Sequence, residues 1–497
     1  MDQSLHALNR FGLGARSGEA RSLAGGDPRD WLRAQLEPRH ALLPSDAGLP
    51  DADAIAAVLA AQRQAQRMAR QGQDAEAVRA ARVAFAEIVR RESTAALDQR
   101  VRTDTPFVER LVAFWSNHLC VSAAAGQPVA AFAGHYERTA IRPHVLGSFA
   151  ELALAATLHP AMLIYLDNTR SVGPGSQVGR ATERRAAARG ATGRGLNENH
   201  ARELLELHTL GVGGGYTQAD VEAAARVLTG WTADLGAPAA NAMVRSRPPG
   251  RLRAGTSGAA VAPAAPAAGQ GGAVFRPEIH EPGTKDVLGR RYGTRGARGP
   301  GGAEEAAALV RDLARHPATA TFVATKLARH FVADEPPATA VERLAAVFRD
   351  SGGDLLRVSL ALVDLEEAWD PTHRKLRTPQ EWTVAALRAA RAESFPPALL
   401  PVLRELRHPL WSPPAPKGFD DVTRAWADPD ALMNRAELAR TLAARLARGR
   451  GAADPRLLLD VMEPADGGVL AAMLADGSIA AEERFALALG GPAFQWR

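Results

Sequence analysis

The chain has 497 residues, 46% of them apolar and 5% aromatic, enough for one large helical body or roughly two to four domain-sized units. Its formal charge of +5 and pI near 9.7 come from arginines interspersed with acids. They describe a solvated surface, and the few scattered aromatics offer no base-stacking platform, so nucleic acid is not an expected partner. No apolar run is long enough to span a bilayer and the first residues lack a signal-peptide pattern, which makes the expected location cytoplasmic, with export beside a partner still compatible. Cys120 is the lone cysteine, so no internal disulfide can form.

Residues 1–50 read as a short opening segment with Leu8, Phe11 and Leu13 as anchors, and 51–101 as a polar, solvent-facing helical hairpin. Together, 1–101 form the first region. A second, 102–232, is the central helical core. Asp104-Thr105-Pro106 starts an apolar helix carrying Phe114, Trp115, Asn117 and His118. Ser171–Gly195, dominated by Gly, Arg and Ser, reads as a mobile loop. Asn197 then caps a helix that stops at Gly211, and Thr217 with Asp220 forms a capping box for the next. Residues 233–275, rich in Ala, Pro and Gly, read as a disordered or surface insertion. The last region, 276–497, returns to helices packing on the core, with an irregular Trp- and Pro-dense stretch at 405–430. His159-Pro160-Ala161 and His316-Pro317-Ala318 recur at helix junctions, as proline in a helix's first turn would require without any duplication. The expected fold is mostly α, with short β-hairpins at most.

The chemistry-bearing pattern is the helix Asn197–Leu210. At about 100° per residue, Asn199, Arg202, Glu203 and Glu206 fall on one narrow stripe of a helix otherwise rich in Ala and Leu. Such a helix is expected to be buried. Its stripe is then either a paired ion network, Arg202 with Glu206, or a cleft in which one carboxylate is poised as acid or base. His200 and Glu203, three apart, could share a metal only with help from His118 or His280, and no metal is expected. The cofactor is left open. Phosphate-loop, nucleophile-elbow and paired-cysteine zinc signatures are absent. Only four lysines occur, Lys285, Lys326, Lys375 and Lys417. In a chain this biased to Arg they are candidates for positions where a compact ammonium is needed.

The motifs Leu8-Asn9-Arg10-Phe11-Gly12, Phe114-Trp115-Ser116-Asn117-His118, Tyr136-Glu137-Arg138 with Ile141-Arg142-Pro143, and Ala201-Arg202-Glu203-Leu204-Leu205-Glu206-Leu207-His208 carry a resemblance. His280-Glu281-Pro282-Gly283 with Lys285, Lys326-Leu327 with Phe331, and Pro416-Lys417-Gly418 with Trp426 continue it. The whole chain, in order, resembles the bacterial family catalogued as domain of unknown function 1800. The resemblance implies a largely helical protein without a settled activity, often encoded beside a sulfatase-like protein. It also marks two departures: Ser116 stands where the family often has His, and His200 where it often has an apolar or aromatic residue.

Two functional readings follow. One is a hydrolase-like enzyme using buried carboxylates on a polar or glycan-like substrate. Its catalytic candidates are Glu203, Glu206, Arg202, Asn199 and His118, and its substrate-binding candidates Asp167, Lys285, Lys417, Trp231 and His280. The other is a non-enzymatic partner or escort of the sulfatase-like protein. A deep polar pocket would favour the first, and a satisfied core with a large exposed apolar patch the second.

Overall fold

A chain rich in Ala, Leu and Arg with few β-branched runs has little to build but helices. The computed structural model describes residues 2–44, 48–70, 75–188, 195–235, 272–293, 302–448, 454–462 and 468–497, and these are mostly α-helical. Among them, sheet is confined to two antiparallel pairs. Trp231–Ala233 pairs with Ala273–Phe275, Trp231 opposite Phe275, and Lys285–Val287 pairs with Arg290–Tyr292, Lys285 opposite Tyr292. No helix among the described residues is long and apolar enough to cross a membrane.

Most helix boundaries follow local chemistry. Thr217 and Asp220 cap the Gln218–Leu228 helix reciprocally. His159 and His316 act as caps too: each ring Nδ1 accepts a backbone N–H, from Ala161 at 3.1 Å and Ala318 at 3.2 Å, with proline filling the next position. The repeated His-Pro-Ala is therefore a helix-start device.

Three expectations need correction. The Ser171–Gly195 stretch contains a helix, Gln177–Ala187, whose first turn Ser176 caps by accepting from the Gly179 N–H at 2.9 Å. Its Arg, Ala and Glu residues favour helix without needing an apolar face. The hairpin, Ala52–Arg70 and Ala75–Arg102, is only partly solvent-facing, because its second helix buries Glu92, Leu97, Arg100 and Val101. Finally, the ends of the 233–275 insertion are the paired strands above, and the expectation for 236–271 lies outside the described residues.

The apolar faces converge on two cores. The larger gathers the Pro106–His118 helix, the segments from Val129 to Leu228 and the helices from Ala303 to Ala368. The smaller joins Leu5, Leu8, Leu13 and the end of the hairpin to Pro379–Ala389 and the helices beyond. Among the described residues three π-helical turns interrupt the helices, Ala7–Phe11, Glu137–Ile141 and Leu204–Thr209. Each lies in a motif named above, and such turns often mark functional ground.

Candidate functional site

The Pro106–His118 helix explains its own motif residue by residue. Phe114 and Trp115 are buried. Ser116 Oγ donates to Glu137 at 3.2 Å. His118 Nε2 donates to the His208 carbonyl at 3.1 Å, which leaves Nδ1 unprotonated and without a partner. Asn117 grips Phe419 in both directions, donating to its carbonyl at 3.0 Å and accepting its N–H at 2.8 Å. Gly418 is required beside that clamp: its φ is +85°, and a Cβ there would lie 2.4 Å from the Asn117 carbonyl. The irregular 408–421 segment is pinned further by Ser122 Oγ donating to Pro413 O at 2.8 Å and by the Ala123 N–H donating to Trp411 O at 2.7 Å.

This pinned segment closes one side of a cavity of about 310 Å³. The other walls come from Pro106–His118 and Pro317–Phe331 of the larger core and from Pro379–Ala389 of the smaller. A cleft between two packed bodies is where ligand sites usually lie, and the volume suits a small molecule.

Beneath it runs a dense ion network. Arg142 holds Glu109 at 2.5 and 3.1 Å and Glu137 at 2.9 Å, all essentially unexposed. Glu137 also receives Arg100 at 3.2 Å and the Trp411 indole N–H at 2.7 Å. Burial opposes ionisation of Glu137, but Arg142 and Arg100 hold its pKa below the usual value. Glu381 caps the Pro379–Ala389 helix with one oxygen, accepting the Thr378 N–H at 2.8 Å. Its other oxygen meets Arg110 and lies 3.3 Å from Arg497. Against burial, those two arginines hold Glu381 well below the ordinary carboxylate range.

At the cavity wall, His330 Nδ1 donates to Asp421 at 2.5 Å, and His330 Nε2 has no partner. Asp421 is held in turn by Lys375, whose ammonium donates to Asp421 O at 2.8 Å and to Asp334 at 2.7 Å. Burial opposes ionisation of Asp421, yet His330 and Lys375 keep it ionised well below the usual range. Burial also pushes the His330 pKa down. The pair is therefore a neutral imidazole oriented by a carboxylate, with a free basic nitrogen. Lys326 reaches the same cavity over the Phe322 ring, 5.7 Å from its centroid. Burial lowers its pKa to about 8. The Cys120 thiol is pushed up to about 12 by burial and is inert as a nucleophile.

The motif order and this helical architecture meet in one observation: the family model described as "Protein of unknown function (DUF1800)" matches residues 6–496. The chain belongs to the DUF1800 family. No curated protein and no solved structure matches it.

For this DUF1800 chain, the sequence-predicted site residues divide into four groups. His118 and Lys417 line the cavity, Lys417 paired with Asp420 at 2.7 Å. The Asn199–Glu206 stripe lies at the surface and not in a buried cleft. Asn199 is exposed, and Arg202 bridges Glu198 at 3.1 Å and Glu206 at 3.5 Å with its side chain 36% exposed. The apolar arc is wide because His200, Ala201, Leu204, Leu205 and His208 pack inward, while the stripe keeps the outer face. Glu203 has no hydrogen-bond or ion-pair partner among the described residues. Burial and then Glu206 raise its pKa, and it lies one turn from the cavity-lining Leu207.

His280, Lys285 and Trp231 belong to a separate cluster. Lys285 donates to Glu305 at 2.7 Å and to His280 Nε2 at 3.2 Å, and His280 Nδ1 donates to Thr229 O at 2.6 Å. Trp231 packs edge-on to Phe275, which contacts the His280 ring. None of these lines the cavity. Asp167 is a half-exposed residue in the left-handed region that pairs with Arg170 at 3.1 Å.

His200 is fully buried with both ring nitrogens unpartnered, and burial lowers its pKa to about 4. Among the described residues no three His, Cys, Asp or Glu side chains gather as a metal site. The sequence reading missed His330, Asp421, Glu381 and Arg110. Lys326 alone carried a usable signal, its rarity in an Arg-rich chain.

Proposed function

We propose that this DUF1800 protein is an enzyme performing hydrolase-like acid–base chemistry on a polar, glycan-like substrate in the cavity between its two cores. The observation that carries the reading is the His330–Asp421 pair, with Nε2 of a neutral imidazole left unpartnered at the cavity wall. In this reading Asp421 fixes the tautomer and His330 Nε2 takes a proton from water or a substrate hydroxyl. Asn117, Gln380 and Trp411 line the same cavity with their polar atoms engaged in its walls. Glu203, unpaired near the rim, is the candidate second acid.

The test is turnover of a panel of aryl glycosides and esters by the purified chain and by His330→Gln. Expected is a measurable rate that falls by about 10²–10⁴-fold in the variant, at an unchanged melting temperature. Equal rates in the two proteins would overturn the reading.

The second reading, a partner or escort of a sulfatase-like protein, draws on one observation. Leu432, Met433, Val469 and Leu487 are large apolar side chains left exposed on helices of the smaller core. Co-purification of such a protein, lost on Met433→Asp with Leu487→Asp, would favour it.

A further inference from the structure

Among the described residues, buried cations are held by carboxylates or, as at Arg10, Arg377 and Arg435, by backbone carbonyl and amide oxygens. Lys285 has Glu305, Lys375 has Asp334, Arg142 has Glu109 and Glu137, and Arg110 has Glu381. In the cavity, two half-buried cations on one helix are held more loosely. Lys326 and Arg329, three residues apart on Pro317–Phe331, both line it. Neither has an ion-pair partner among the described residues. Arg329 gives only its Nε–H, to the Asp334 carbonyl at 3.1 Å. Lys326 has no hydrogen bond among the described residues, only the Phe322 face.

The acids of the wall are, by contrast, all engaged. Glu381 is held by Arg110 and Arg497, Asp421 by His330 and Lys375, and Asp420 by Lys417. Asp421 attracts Lys326 from beyond ion-pair distance but is already doubly committed. A half-buried ammonium without a counterion is costly, and no carboxylate among the described residues pairs with it.

We propose that the ligand supplies it: the cavity binds an oxyanion group, a carboxylate, sulfate or phosphate, between Lys326 and Arg329. The proposal rests on the catalytic reading above for the identity of the cavity and names the substrate's class, a polar molecule carrying one acidic group. The ammonium acts as a point charge and the planar guanidinium as a two-pronged donor, so together they fix both charge and orientation. His330, one turn beyond Lys326 on the same helix, lines the same cavity.

The test titrates the full chain with sodium acetate, sulfate and phosphate separately at constant ionic strength. Binding is read as a rise in melting temperature and as protection of Lys326 from an amine-acylating reagent. Only four lysines and the chain's α-amine compete, so peptide mass spectrometry resolves the site. Expected is saturable protection of Lys326 by at least one oxyanion, and an affinity at least about tenfold weaker in Lys326→Met, as loss of one charge-assisted hydrogen bond predicts. Which anion protects best separates the three sources. The protection assay needs no variant and stands even where Lys326→Met fails to fold. Absence of protection by all three anions, or undiminished affinity in Lys326→Met, overturns the proposal. In His330→Gln the anion shift persists even if turnover vanishes or never existed, so failure of the catalytic reading and failure of this one are told apart.

Discussion

Arg142 and Glu109 form a two-pronged ion pair, 2.5 and 3.1 Å, in which neither side chain has any exposed surface. The pair fixes the floor on which the cavity rests, because the same guanidinium holds Glu137, and Glu137 holds Trp411 of the cavity wall. Glu109→Gln leaves the fully buried Arg142 with Glu137 as its remaining counterion. Chemical denaturation should show a loss of roughly 3–5 kcal/mol. A loss under about 1 kcal/mol would mean the network relaxes around the missing charge.

The surface stripe behaves differently. Arg202 and Glu206 are 3.5 Å apart and partly exposed, so Glu206→Gln should cost no more than about 1 kcal/mol. Glu203 has no partner and a raised pKa, so Glu203→Gln should be neutral or slightly stabilising. Thermal unfolding of the two single variants decides this. A large loss in both would show a buried network that the geometry does not contain.

How much of this was legible beforehand depends on what each residue does locally. Thr217–Asp220 announces itself because capping uses neighbours within four residues, and Pro106 because proline suits a helix's first turn. His330, Asp421 and Glu381 did not, because their partners lie 91 residues away or more: His330 with Asp421, and Glu381 with Arg110 at a separation of 271. Glu381 is further disguised as the ordinary fourth member of a Thr-Pro-Gln-Glu cap, which it also is. The Asn199–Glu206 stripe misled because the apolar arc of a helix reveals its width and not what covers the polar side. Of the four lysines, Lys285 and Lys375 are buried in ion pairs, Lys326 lines the cavity, and Lys417 is exposed beside Asp420.

Lys326 gives a pH signature. Its folded pKa, about 8, lies below the ordinary lysine value. Between the two, the unfolded chain holds a proton that the folded one lacks, so this group's contribution to stability rises with pH across that window. Below pH 8 the penalty is fully present. Lys326→Met should therefore stabilise the protein at pH 7, by about 2 kcal/mol once the cavity's solvent is discounted. The gain should shrink as pH climbs from 8 towards 10. A pH-independent difference would mean the side chain escapes to solvent.

Glu381 and Asp421 give the opposite limb. Both have folded pKa values depressed below those of the unfolded chain. Their stabilisation is complete above the usual carboxylate range and is lost as pH falls through it and below. Acid unfolding should begin below about pH 4. Glu381→Gln should flatten that acid limb while lowering stability at neutral pH, since Arg110 and Arg497 lose their shared acceptor. An acid limb as steep as the parent's would assign the effect to other carboxylates.

The sharpest prediction concerns Asp421 and the tautomer of His330. With Asp421 ionised, Nδ1 carries the proton and Nε2 is the base. Asp421→Asn can present its amide N–H to Nδ1 and so move the ring proton to Nε2, turning the base into a donor. Turnover should fall by about 10²–10⁴-fold, although the ring stays in place. The parent's rate should remain flat from neutral pH down to below the ordinary histidine value of about 6.5, because burial keeps His330 neutral there. Where the parent's rate finally falls at still lower pH, as His330 takes up a proton, the residual rate of Asp421→Asn should not follow it, since the imidazole is no longer the base. Lys375 keeps Asp334 as its partner at 2.7 Å, so the variant should fold, and melting curves recorded beside the rates check that it does. A rate in Asp421→Asn within about threefold of the parent's, too small for the loss of a general base, would remove His330 from the chemistry.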